Sequence, residues 1–165
     1  EMLTPGVGCV ALGRIAIDGP ALLPRAVTRL LGAGMEVLVL DLRGNPGGDV
    51  KAALEIAGSF LPEGALLATL VEDDGDETAI HARPGEAWTM PLVVWVDRGT
   101  ASAAELLAGC LTAHGRAVLA CESTYGKGAA AAWVPGPAGL SLRGARVRLP
   151  DGREISGEGL SPESP

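Results

Sequence analysis

No stretch of this sequence reaches about 18 consecutive apolar residues, so a membrane-spanning helix is not expected. Residues 1–20 carry Gly, Asp and Pro rather than a basic start and an apolar run, and no export signal is visible there. Cysteine is scarce: Cys9, Cys110 and Cys121 form no CxxC pair, and an odd count leaves one thiol unpaired within the chain. Their apolar or small-residue settings read as buried free thiols. With two histidines, His81 and His114, no zinc site, structural or catalytic, is expected, and no cofactor is called for. Cations are outnumbered, 13 Lys and Arg against 20 Asp and Glu, for a net charge of −7, and they are scattered along the chain. A nucleic-acid partner is therefore not expected.

What the chain does hold is enough apolar residue, 47%, to fold without metals or disulfides, and 24 Gly and 12 Pro that predict many tight turns. At 165 residues it is the size of one domain, able to bury roughly 70% of its unfolded surface. Apolar runs alternate with Gly-rich punctuation and show no internal repeat. A strand is expected over 7–17 and a helix from Asp18-Gly19-Pro20, stopped at Gly32 and Gly34. EVLVLDL (36–42) reads as a strand buried on both faces, followed by RGNPGG and a helix over about 49–60. A strand near 65–71, a polar surface excursion over 72–87, and a second buried strand at LVVWVD (92–97) come next. A helix over about 102–114, a third buried strand at RAVLAC (116–121), and short strands over 129–156 joined at PGPAG (135–139) and PDG (150–152) complete the pattern. The expected class is α/β with a β-rich C-terminal part.

Three segments carry chemistry. Ser102, in TASAAE (100–105), begins a helix, where Ser-x-x-Glu is also an ordinary capping box to Glu105. At that position its Oγ is exposed, and the N–H groups that follow point to where an oxyanion forms. Lys127, in GKG (126–128), is by itself a solvated turn residue. In an extended segment, however, it shares a face with Ala129, Ala131 and Trp133, an apolar face that desolvates an amine toward use as a base. DLRGNPGG (41–48) runs a buried strand into a glycine loop, in which Gly47 or Gly48 can bring a backbone N–H to a ligand oxygen and complete an oxyanion hole with Ala103. Its spacing fits no phosphate-binding loop. A serine triad is not favoured, because His114 sits at a predicted helix end and His81 in the polar excursion.

Taken in order, DLRGNPGG, PLVVWVDRGTASAAE (91–105), ESTYGKG (122–128) and LPDGREISGEGLSPES (149–164) resemble the C-terminal processing peptidases, or tail-specific proteases. The resemblance runs from about residue 6 to the end. It implies a ClpP/crotonase-like spiral of strand-strand-helix units and a serine endopeptidase that cuts near protein C termini through a Ser/Lys dyad. It makes Ser102 the nucleophile, Lys127 the general base, and the N–H groups of Ala103 and Gly48, or Gly47, the oxyanion donors. The expected partners are protein or peptide substrates met through their C-terminal regions, with homo-oligomerisation left open, and the expected compartment is the cell envelope or periplasm. Residues 1–165 are expected to be a single catalytic domain without a PDZ domain, since too little chain precedes Asp41 to hold one. Many relatives carry glutamine four residues after the lysine, where this chain has Ala131. Two alternatives use the same fold: a catalytically silent peptide-binding module, and a crotonase-type acyl-thioester enzyme whose paired N–H donors would serve a coenzyme A thioester.

Overall fold

The structure, a computed structural model, describes residues 1–72, 75–127, 146–155 and 157–162. The chain forms β1 (Met2–Thr4), β2 (Val7–Ala11), α1 (Gly19–Gly32), β3 (Val37–Asp41), α2 (Val50–Gly58), β4 (Leu66–Val71), β5 (Glu77–His81), β6 (Leu92–Val96), α3 (Ala103–Ala113), β7 (Val118–Cys121) and β8 (Arg146–Arg148). Five strands make one sheet in the order β1-β2-β3-β6-β7, with β1 antiparallel to β2 and the rest parallel. A second, antiparallel sheet runs β5-β4-β8.

The parallel strands follow from their side chains. In β3 the run Leu38, Val39 and Leu40 is buried throughout, as befits a strand flanked by β2 and β6. In β6, Leu92, Val94 and Val96 are buried while Val93 and Trp95 are half-buried. Helix α1 takes Pro20 in its first turn, where no N–H partner is needed, and buries Leu23, Val27 and Leu30. Helix α2 is capped by Asp49, whose side chain accepts from Ala52 N–H at 2.7 Å. It packs against α3, which is buried along nearly its whole length. Arg116 reaches back from the end of α3 to the carbonyl oxygens of Phe60, Trp88 and Met90, pinning the segment between β5 and β6 to the body.

Four expectations change. The polar stretch 72–87 contains β5, paired with β4; its residues are mostly exposed because it is an edge strand, held by backbone bonds that leave little mark on the side chains. RAVLAC is an edge strand too among the described residues, with Val118 67% exposed, so its apolar run did not mean burial on two faces. The opening strand stops at Ala11, and β1 precedes it. Cys9 and Cys110 are buried, and burial pushes the Cys110 thiol up to about 12, but Cys121 is exposed. PGPAG lies outside the described residues, whereas the PDG turn closes with Gly152 N–H donating to Leu149 O at 2.9 Å.

The carboxyl ends of the parallel strands β2, β3 and β6 lie side by side, and polar side chains tie their loops together. Asp97, just after β6, accepts from Gly44 N–H at 2.8 Å and Gly99 N–H at 2.9 Å. Thr100 donates its hydroxyl to Leu42 O at 2.8 Å. Asn45, fully buried, donates to Leu12 O at 2.6 Å and takes Ala101 N–H on its backbone oxygen at 2.9 Å. Open parallel sheets place ligands at this end.

Burial by itself raises the Asp97 carboxyl, but the N–H groups of Gly44 and Gly99 and the contacts with Thr100 outweigh it and hold it below its ordinary value. A carboxyl depressed on folding adds stability that is present above its unfolded value, about 3.9, and is lost as pH falls through the folded one. Melting temperatures of wild type and Asp97→Asn should therefore differ most near neutrality and converge on acidification below about pH 4. A gap that stays constant across that range contradicts this role for the Asp97 charge.

Candidate active site

The turn between β6 and α3 holds Ser102 in an unusual backbone conformation, φ 56° and ψ −123°. A non-glycine residue in such a region costs about 1–3 kcal/mol and persists only where its surroundings impose it. Those surroundings are visible. Ala101 N–H is held by Asn45 O, and Leu106 N–H donates to Ser102 O at 3.0 Å. The backbone of Gly47 also lies directly against the turn. A Cβ on Gly47, whose φ is +101°, would stand 2.8 Å from Ala101 O, 2.9 Å from Ser102 Cβ and 3.0 Å from Ala103 N. Only glycine fits there.

The glycine loop and the serine turn thus meet. Gly47 N–H donates to Asn45 Oδ1 at 2.9 Å and is occupied. Gly48, at φ +145°, is exposed and lies against Ile15, whose carbonyl a methyl group would strike. Ile15 N–H donates to Gly47 O and Asp49 N–H to Ile15 O, which leaves Gly48 N–H outside this ladder. Among the described residues neither Gly48 N–H nor Ala103 N–H donates to a protein acceptor.

Lys127 ends the described part of the loop that leaves β7. The loop is clamped from the other side by residues 157–160: Thr124 N–H donates to Leu160 O at 2.9 Å, Leu160 N–H to Thr124 Oγ1 at 2.8 Å, and Gly157 N–H to Gly126 O at 2.8 Å. Gly126 and Gly159 have positive φ and pass backbone against backbone, with no room for a Cβ on either. The Lys127 side chain is exposed, not desolvated as the sequence pattern suggested; Ala129, Ala131 and Trp133, which were to form its apolar face, lie outside the described residues.

What joins serine to lysine is Glu105, fully buried in the first turn of α3. Its Oε2 accepts from Ser102 N–H at 2.9 Å and from Lys127 N–H at 3.1 Å, so these two backbone nitrogens are no more than 6.0 Å apart. Its Oε1 accepts from Thr124 Oγ1 at 2.6 Å and Gly126 N–H at 2.7 Å. Sequence reasoning saw Glu105 only as a cap for Ser102. The missed signal was its isolation, since it is the only charged residue in AAELLAGCLTA, and a lone charge in an apolar helix has to find partners inside.

The histidines stay apart from this centre. His114 caps the far end of α3, about 18 Å along the helix from Ser102, with Nε2 2.7 Å from Leu66 O. His81 lies on β5. Among the described residues no group of three or more His, Cys, Asp or Glu is arranged to hold a metal, and no helix is long and apolar enough to cross a membrane.

Comparison with known proteins gives this arrangement a family. The model of Peptidase family S41 matches residues 6–165. The chain is 35% identical over 159 residues to the carboxyl-terminal-processing protease of Synechocystis sp., covering 95% of this chain and 37% of that protein. It is 35% identical over 161 residues to the chloroplastic C-terminal processing peptidase of Tetradesmus obliquus, covering 95% of this chain and 34% of that one. The chain therefore spans little more than a third of the length of these relatives. Among solved structures, the photosystem II D1 C-terminal processing protease superposes with a TM-score of 0.81 at 34% identity, over 98% of this chain and 44% of that one. The mixed α/β architecture is the ClpP/crotonase-like one that the sequence motifs implied. With its glycine loop, strained serine turn and lysine loop joined in this order, the chain belongs to peptidase family S41.

Proposed function

We propose that this chain is the catalytic core of a serine endopeptidase that cleaves proteins near their C termini, with Ser102 as nucleophile and Lys127 as general base. The observation that carries the reading is the shared Glu105 oxygen, which holds the backbones of Ser102 and Lys127 side by side. In the acylation step the neutral Lys127 amine takes the Ser102 hydroxyl proton as Oγ attacks the substrate carbonyl. The N–H groups of Gly48 and Ala103 receive the oxyanion; Gly47 is set aside because its N–H already serves Asn45. Lys127 then protonates the leaving amine, and in the second half it draws a proton from the water that hydrolyses the acyl-enzyme. The strain at Ser102 favours this reading over the crotonase alternative, in which a serine forced to positive φ has no task. Selection of substrate tails, the oligomeric state and an extracytoplasmic site of action belong to the same proposal and follow the relatives.

Two measurements test it. A fluorophosphonate probe should label the chain on Ser102. Labelling should vanish in Ser102→Ala and fall by about 100-fold or more in Lys127→Ala, the scale of a lost general base. Wild-type labelling rates in folded Lys127→Ala would sink the dyad. Because glycine tolerates the φ of residue 102 and alanine does not, Ser102→Gly should be more stable than Ser102→Ala by about 1 kcal/mol in urea denaturation. Equal stability would show that the turn is unstrained.

A further inference from the structure

We propose that Glu105 is a positioning residue of the reaction: its buried carboxylate, rather than any group on the lysine side chain, sets where the Lys127 amine meets Ser102. The proposal rests on the dyad reading above and deepens it.

A helix cap needs one acceptor for one or two N–H groups, and Asp49 does that for α2 from a half-buried position. Glu105 goes further. Of its four donors among the described residues, only Ser102 N–H belongs to the helix start; Thr124 Oγ1, Gly126 N–H and Lys127 N–H come from the loop after β7. The two oxygens divide the work, Oε1 gripping the loop at residues 124 and 126 and Oε2 spanning the gap between residues 102 and 127. A carboxyl group is planar and rigid, so this fixes the loop in both distance and orientation relative to the nucleophile turn.

The lysine depends on that anchor. None of the ion pairs among the described residues involves Lys127, and its side chain is exposed. Its reach is set by its backbone. Lys127 N–H sits on the same oxygen as Ser102 N–H, and the loop behind it is clamped by Leu160 and Gly157. Ala131 has no hydrogen-bonding side chain to offer.

The test uses Glu105→Gln and Thr124→Val, alongside Ser102→Ala and Lys127→Ala. Glutamine keeps the shape but puts an NH2 donor where one oxygen was, so it faces either the Gly126 N–H or the Ser102 and Lys127 N–H groups together and leaves them unpaired. Valine at 124 keeps the carboxylate and removes both contacts of the Thr124 hydroxyl, the one to Glu105 Oε1 and the one from Leu160 N–H. Fluorophosphonate inactivation is measured per folded molecule over a range of probe concentrations, and amide exchange of Gly126 and Lys127 is followed by NMR. The expected result for Glu105→Gln is an inactivation rate constant about 100-fold lower, the scale of a small misplacement of reacting groups, with half-saturation unchanged and faster exchange at both amides. Thr124→Val should change in the same sense by a smaller factor.

A glutamate that only stabilises the fold would lower the melting temperature and leave the folded molecules reacting at the wild-type rate, which overturns the proposal. If Glu105→Gln does not fold, Thr124→Val decides by the same readings. Labelling of Ser102→Ala defeats the dyad reading and this proposal with it, whereas silent Ser102→Ala and Lys127→Ala beside a fully reactive Glu105→Gln defeat this proposal alone. Should the wild type itself resist the probe, the exchange rates still decide: amides 126 and 127 no slower than in Glu105→Gln overturn it.

Discussion

A buried carboxylate is the constraint around which this molecule is arranged. Taking Glu105 out of water is costly unless donors replace the lost hydration, and the described structure supplies four. Hydrogen bonds to a charged group contribute about 1.5–3 kcal/mol each, so the set offsets the burial only if it forms together. That requirement couples segments far apart in the chain: the start of α3, the loop after β7 and, through the Thr124 hydroxyl, residue 160. The N-terminal end of α3 adds its own favourable dipole to the negative charge. Stability and the geometry of the candidate dyad are thus two consequences of one set of contacts.

The other buried polar groups extend the same design toward the glycine loop. Asn45 fastens the loop after β3 to Leu12 on one side and Ala101 on the other, and in doing so occupies Gly47 N–H, so that the next amide, on Gly48, stays available. Glycines are needed here for contact as much as for conformation. Gly47 lies against the serine turn, Gly48 against Ile15, and Gly126 against Gly157 and Gly159, each at a distance that admits no side chain. Backbone approaching backbone at three places brings the glycine loop against the serine turn and the lysine loop against residues 157–159, while Gly48 N–H and Ala103 N–H donate to no acceptor among the described residues. The strain at Ser102 is the cost of holding its hydroxyl there.

Much of this was legible in the sequence, for identifiable reasons. Strongly periodic or wholly apolar runs, such as residues 36–42 and 92–97, gave their strands directly, and Asp18-Gly19-Pro20 marked the start of α1. Ser102, Lys127 and the glycine loop were recognisable because their chemistry demands those residue types, and the structure brings the three segments together. What was not legible depends on partners distant in sequence. Edge strand β5 is made by backbone pairing to β4, and β7 is exposed where no strand among the described residues pairs beyond it. That Asn45 Oδ1 takes the Gly47 N–H depends on where the Asn45 amide points, and the partners of Glu105 lie on a loop in which Thr124 is nineteen residues further along the chain. Local pattern carries no record of such long-range contacts.

The most direct measurement is a crystal structure of the chain after reaction with a fluorophosphonate, because the phosphorus centre imitates the tetrahedral intermediate. The account predicts phosphorus bonded to Ser102 Oγ and a phosphoryl oxygen within about 3 Å of both Gly48 N and Ala103 N, with Lys127 Nζ at a similar distance from Oγ. An adduct on another residue, or one on Ser102 whose oxygen avoids both amides while Lys127 points elsewhere, would contradict it.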